Sequence, residues 1–134
     1  MRLLLDAQAL LWWLADDPSL DRHALDLIAD PANEVIVSAA TVWEIAIKRA
    51  IGKVSAPDGL AAVLERSGFI EAPVTTADAE RAGGLEAIHR DPFDRMLVAQ
   101  AVRLRAVVVT RDPQVPSGVV SLAFPHPSVL QVDG

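Results

Sequence analysis

The sequence predicts an α/β fold of three layers, with helices on both faces of a central, mostly parallel sheet of four to five strands. Three observations carry this. Short apolar runs at Arg2–Leu5, Glu34–Ser38 and residues 106–110, the last two rich in β-branched residues, read as strands buried on both faces. Helical stretches separate them, and strands alternating with helices imply βαβ units. The chain has 134 residues, 51% of them apolar and none of them cysteine. That suits one domain over residues 1–134 with a real core and without disulfides or thiolate metal sites.

In chain order, Arg2–Leu5 is the first strand and stops at Asp6. Residues 7–15 are strong helix formers that close before Asp16-Asp17-Pro18, a turn signal. Residues 21–29 form a second helix, ending near Asp30-Pro31. Glu34–Ser38 is the second strand. Residues 40–51 are helical and stopped by Gly52. Residues 58–67 form another helix with Asp58 as N-cap. Residues 69–74 make a weaker strand, and 76–82 a short helix broken by Gly83-Gly84. Residues 92–105 are the clearest helix and 106–110 the clearest strand. A last short strand falls at 119–122, before a proline-containing tail.

Charge and hydropathy narrow the function classes. The apolar run at the N-terminus ends at Asp6, too early for a signal peptide, and residues 7–15 are shorter than the ~18 residues of a membrane helix. A soluble, cytoplasmic protein with no membrane partner is expected. The formal charge of −6 argues against nucleic-acid binding, but its distribution argues back. From residue 90 to 111 five arginines (Arg90, Arg95, Arg103, Arg105, Arg111) face two acids, a segment of +3 that leaves −9 elsewhere. Such a strip is either a solvated helix face or a phosphate-binding surface.

In open α/β sheets ligands bind beyond the carboxyl ends of the strands. Asp6 ends the first strand, and Asp112 lies just past residues 106–110. Asp94 sits in the first turn of the helix feeding that strand, and Glu44 one turn into the helix after Glu34–Ser38. Each acid has a plain structural reading. Asp6 N-caps a helix. Asp91-Pro92-Phe93-Asp94 reads as Ncap-N1-N2-N3. Glu44 and Lys48 make an i,i+4 pair within a stripe that includes Thr41. Asp112 is a turn residue before Pro113. Two positions favour more. Asp6 interrupts an apolar run, and Asp94 heads a stripe continuing through Leu97, Val98 and Ala101, in a chain with only two lysines to neutralise acids.

Two carboxylates about 4 Å apart repel by ~4 kcal/mol at an effective dielectric near 20. A divalent cation removes that repulsion. Oxygen-only ligands suit Mg²⁺, with Mn²⁺ as substitute, rather than Zn²⁺. Such a centre hydrolyses phosphodiesters without a serine nucleophile or histidine base. The competing patterns fail. Asp16-Asp17 comes too late for a receiver domain and both lysines are mid-chain. Gln8 stands where a haloacid-dehalogenase-type phosphatase needs an acid. No Gly-rich phosphate loop is present. His23, His89 and His126 are scattered and read as structural, and Trp12, Trp13 and Trp43 read as core, with the helix at 7–15 a candidate for an interface.

Four blocks together resemble one family: Leu-Leu-Leu-Asp-Ala-Gln-Ala-Leu-Leu-Trp-Trp-Leu (3–14), Ser-Ala-Ala-Thr-Val-Trp-Glu-Ile-Ala-Ile-Lys (38–48) with Gly52-Lys53, His-Arg-Asp-Pro-Phe-Asp-Arg-Met-Leu-Val-Ala-Gln-Ala (89–101), and Val-Val-Thr-Arg-Asp (108–112). In order and spacing the chain resembles the PIN-domain endoribonucleases, specifically the VapC-type toxins of toxin–antitoxin pairs. The third block is the most specific. The resemblance implies a PIN fold and an acidic quartet at Asp6, Glu44, Asp94 and Asp112, with Thr110 as the hydroxyl residue near the fourth acid. It also implies Mg²⁺ dependence, an RNA substrate, a homodimer, and inhibition by a cognate antitoxin, often Phd/YefM-like. Two departures stand out. Asp6-Ala7-Gln8 replaces the usual Asp-Thr-His, and residues 113–118 replace an aromatic-containing stretch. A PIN-like module that only binds RNA or a partner is the non-enzymatic alternative.

Overall fold

The computed structural model describes residues 1–85 and 91–110, together with the backbone of residues 129–131. Its five strands are β1 (Arg2–Leu5), β2 (Glu34–Ser38), β3 (Ile70–Ala72), β4 (Val107–Thr110) and β5 (Val129–Gln131). They form one sheet in the order β3-β2-β1-β4-β5, and every pairing is parallel. The described helices are α1 (Ala7–Leu14), α2 (Arg22–Ala29), α3 (Ala39–Ala50), α4 (Leu60–Arg66), α5 (Thr76–Gly84) and α6 (Pro92–Leu104).

The apolar runs form strands here because both faces of the sheet are covered. Leu3, Leu4 and Leu5 are fully buried at its centre. Side chains alternate along a strand, so these three leucines serve two separate cores. Leu3 and Leu5 join Val35, Val37 and Val109 beneath Leu10, Trp12, Ile28, Ile45 and Leu64, which come from α1 to α4. Leu4 joins Ile36 and Val108 beneath Leu97, Val98 and Ala101 of α6. The result is the expected three-layer arrangement, and α5 packs along α6 outside the second layer.

Caps set the element boundaries. Asp6, Asp21, Ser38, Thr75 and Asp91 each accept a hydrogen bond from a backbone N–H of the following turn. Two of the predicted helix boundaries shift in ways that have a clear cause. Asp58 does not cap α4; Gly59 holds the N-cap position at φ 63°, a left-handed conformation that glycine adopts without strain. Asp58 instead pairs with Arg49 on the surface. Helix α5 continues through Gly83 and Gly84, because the Arg95 guanidinium donates to the carbonyls of Ala82, Gly83 and Leu85 and so satisfies the exposed carbonyls of its last turn. The strand expected at 119–122 lies outside the described residues. The fifth strand found is Val129–Gln131, in the tail, pairing with β4.

Candidate metal centre and nuclease site

The sheet order reverses at β1. From β1 the chain moves outward through β2 and β3, then returns to the other side of β1 as β4. A crevice at the carboxyl ends of β1 and β4 follows from that topology. Asp6 sits there directly after β1. Its backbone N–H still donates to the Val109 carbonyl at 3.1 Å, which keeps it in register beside β4. Its carboxylate oxygen Oδ1 accepts from Ala9 N at 2.8 Å as the cap of α1. Asp6 is thus both a helix cap and a buried carboxylate, 8% exposed, at the switch point. Thr110, 1% exposed, ends β4 one residue beyond Val109, the register partner of Leu5.

Two helices bring the other acids to the same edge. Helix α3 leaves β2 at its carboxyl end, so Glu44, its sixth residue, lies about 8 Å along it. Helix α6 feeds β4, so its C-terminus lies at the amino edge of the sheet. Its 13 residues return its N-terminus about 20 Å, to the carboxyl edge. Asp91 caps α6 through Phe93 N (2.8 Å) and Asp94 N (3.3 Å), which places Asp94 at the third helical position. Asp94 is half-buried.

Lys48 ties α3 to α6 electrostatically. Its ammonium donates to Glu44 Oε2 at 2.6 Å. That hydrogen bond raises the lysine above its ordinary range; partial burial opposes the rise, and the charges of Glu44, Asp91 and Asp94 add to it. One ammonium therefore feels the carboxylates of both helices. The rings of Trp43 and Phe93 complete the join, edge to face at 5.4 Å and 68°.

The i,i+4 reading of Glu44 and Lys48 is correct, yet Glu44 is 8% exposed and so belongs to the interior rather than to a solvated face. Among the described residues, no three acids or histidines stand close enough to hold a metal ion. Glu44 is drawn toward Lys48, and Asp112 lies outside the described residues. The donor chemistry nonetheless fits a hard cation: the described candidates are carboxylates and hydroxyls with no thiol or imidazole among them. Thr41 Oγ1, one turn before Glu44, is buried with no hydrogen-bond partner among the described residues. A hydrated cation beside Glu44 would offer such a hydroxyl a hydrogen-bond partner.

The basic strip is partly structural. Arg95 holds the end of α5, and Arg103 is paired with the buried Asp78. Arg90 and Arg111 lie outside the described residues. The tryptophans divide. Trp12 is buried and Trp13 is half-buried against Phe69, with ring centroids 6.3 Å apart. Trp43 corrects the core reading, being 63% exposed. Helical spacing carried the signal, since Trp43 falls outside the arc of the buried Ala40, Thr41, Glu44 and Ile45.

Among the described residues, no helix is long and apolar enough to cross a membrane. No curated protein matches the chain. Among solved structures, a chain of VapBC2 from Rickettsia felis, bound to a DNA fragment from its promoter, matches with a TM-score of 0.59. It is 17% identical, over 84% of this chain and 88% of that one. A chain of a toxin–antitoxin complex from Klebsiella pneumoniae matches with a TM-score of 0.58 and 18% identity, over 96% of both. At those identities the likeness is one of fold. The PIN domain family matches residues 3–117. PIN domains are generally nucleases and generally use divalent metals. A match over most of the length, on a fold that sets the buried Asp6 at the switch point of its sheet, establishes that the chain belongs to the PIN domain family.

Proposed function

We propose that this protein is a Mg²⁺-dependent endoribonuclease and the toxin of a toxin–antitoxin pair. The observation that carries the reading is the PIN-family match over residues 3–117, on a parallel sheet that sets the buried Asp6 directly after its first strand; Glu44 and Asp94 are proposed as its partner acids. Asp112 is proposed as the fourth acid and Thr110 as the hydroxyl beside it. These acids would hold Mg²⁺, or Mn²⁺ in its place. A divalent cation held there would offset the repulsion among the carboxylates and would supply the Lewis acidity that phosphodiester hydrolysis needs.

The chain's own groups prepare that site. The hydrogen bond from Ala9 N fixes the Asp6 carboxylate. Asp91 holds the first turn of α6 and thereby the position of Asp94. Lys48 donates to Glu44 Oε2 and holds that carboxylate in the place a cation would take. Acidic groups in the first turn of α6 also sit at the positive end of the helix dipole.

The fold likeness to chains in toxin–antitoxin complexes supports a protein antitoxin as partner; the Phd/YefM type of that antitoxin and a homodimeric assembly are proposed on the sequence resemblance alone. The second reading, a PIN-like module that binds RNA or a partner without cutting, draws on the Glu44–Lys48 pair, which occupies a proposed ligand. Incubation of the purified protein with a labelled single-stranded RNA pool separates the two. Cleavage in Mg²⁺ or Mn²⁺ that stops in chelator supports the nuclease. Retention of RNA without cleavage in either metal supports the binding module.

A further inference from the structure

We infer that Trp43 is a base-stacking residue, which gives the proposed nuclease its grip on an unpaired nucleotide beside the scissile phosphate. This rests on the nuclease reading above. Trp43 immediately precedes Glu44 on α3, and Phe93 immediately precedes Asp94 on α6. The two rings meet at 5.4 Å with an interplanar angle of 68°. Phe93 thus packs nearly perpendicular to the indole, where α3 meets α6. The indole remains 63% exposed. A large, exposed ring steadied by a neighbouring ring loses less side-chain freedom on stacking than an unsupported one.

Charge favours a base over other occupants at this position. The protein carries −6 and must hold a polyanion. Arg95 and Arg103 are engaged with the α5 carbonyls and Asp78, and Lys48 with Glu44. Stacking on an aromatic ring adds affinity without positive charge and tolerates any base. It also demands an unpaired nucleotide, since a base in a duplex presents no free face. Ile47 and Ile51 continue an exposed apolar line along α3 from Trp43. They carry no ring, and they are the control for a protein partner on the same helix.

The test uses the whole protein with single-stranded decaribonucleotides, one intact and a series each with one abasic residue walked along the strand. Stacking of ~1–3 kcal/mol corresponds to roughly 5- to 150-fold. The expected result is a rise in KM of that size for Trp43→Ala with kcat within about twofold, rescue by Trp43→Phe, and no change for Ile51→Ala. One abasic position weakens the wild type to the level of Trp43→Ala and leaves Trp43→Ala itself unchanged. The intact oligonucleotide quenches tryptophan fluorescence in wild type and not in Trp43→Phe. Absence of quenching, or fully additive effects of Trp43→Ala and the abasic residue, overturns the inference. So does a Trp43→Ala variant that cleaves normally but, like Ile51→Ala, loses self-association or protein binding. If wild type cleaves and Trp43→Ala is unaffected, the nuclease reading survives and stacking falls. If nothing is cleaved in either metal while Trp43 is still quenched, the reverse holds.

Discussion

Replacing Arg103 by alanine strips the only guanidinium that the described structure places on Asp78, a carboxylate whose side chain is 1% exposed. Arg103 donates from Nε to Oδ1 at 2.7 Å and from Nη2 to Oδ2 at 2.9 Å, a two-pronged contact between α6 and α5. Breaking a fully buried pair from one side costs about 3–5 kcal/mol. The Arg103 side chain is 36% exposed, so water reaches the carboxylate once the arginine is gone, and about 2–3 kcal/mol is the better figure. For a chain of this length that lowers Tm by roughly 8–10 °C. Thermal and urea unfolding of wild type, Arg103→Ala and the double Asp78→Leu/Arg103→Leu variant measure it. The double variant should regain part of the loss, since it leaves no unpaired charge.

The pH dependence has a definite sign. Burial pushes the Asp78 carboxyl up, but hydrogen bonds from Arg103 and Thr75 and the arginine's charge outweigh it and hold the group below the usual carboxylate range. The stabilisation is therefore fully present above the unfolded value, about 3.9, and is lost as pH falls through the lower folded value. The gap between wild type and Arg103→Ala should be flat from about pH 5 to 8 and close below about pH 4. A loss under 0.5 kcal/mol, or a gap that closes on raising the pH, would refute the reasoning.

Two further outcomes bear on the site. Lys48→Met removes a cation that competes with a metal for Glu44. With that lysine 42% exposed, the gain is about 1 kcal/mol at most, so Mn²⁺ binding by calorimetry should tighten by up to roughly fivefold; weaker binding would show that Lys48 supports the metal instead. Asp91→Ala removes the cap on Phe93 N and Asp94 N and should cost about 1 kcal/mol, or 3–4 °C in Tm; an unchanged Tm would remove the cap from the account.

The central strands and α6 are legible in the sequence because their cause is local. Leu3-Leu4-Leu5 and Val107-Val108-Val109 need no context to read as doubly buried strands, and Asp91-Pro92 announces a helix start by its own chemistry. The position of Asp6 directly after β1 was likewise legible, because it ends an apolar run. What escaped depends on distant partners. Gly83 and Gly84 look like a helix end until Arg95, more than ten residues away, satisfies their turn. Strand β5 is three residues long and owes its existence to pairing with β4 rather than to any pattern of its own. The exposure of Trp43 reflects which side of α3 lacks a covering layer, which helical spacing signals and composition does not. The link from Lys48 to Asp91 and Asp94 spans two helices far apart in sequence.

The most direct test of the central claim is the initial rate of cleavage of a labelled single-stranded RNA by wild type and by Asp94→Asn in saturating Mg²⁺. Asparagine keeps the shape and the place in the first turn of α6 but removes the charge. Removal of one electrostatic group from such a site predicts a fall of roughly 10²–10³ in rate, with Tm within a few degrees of wild type. An Asp94→Asn variant that is folded and cleaves at the wild-type rate would contradict the carboxylate–metal account.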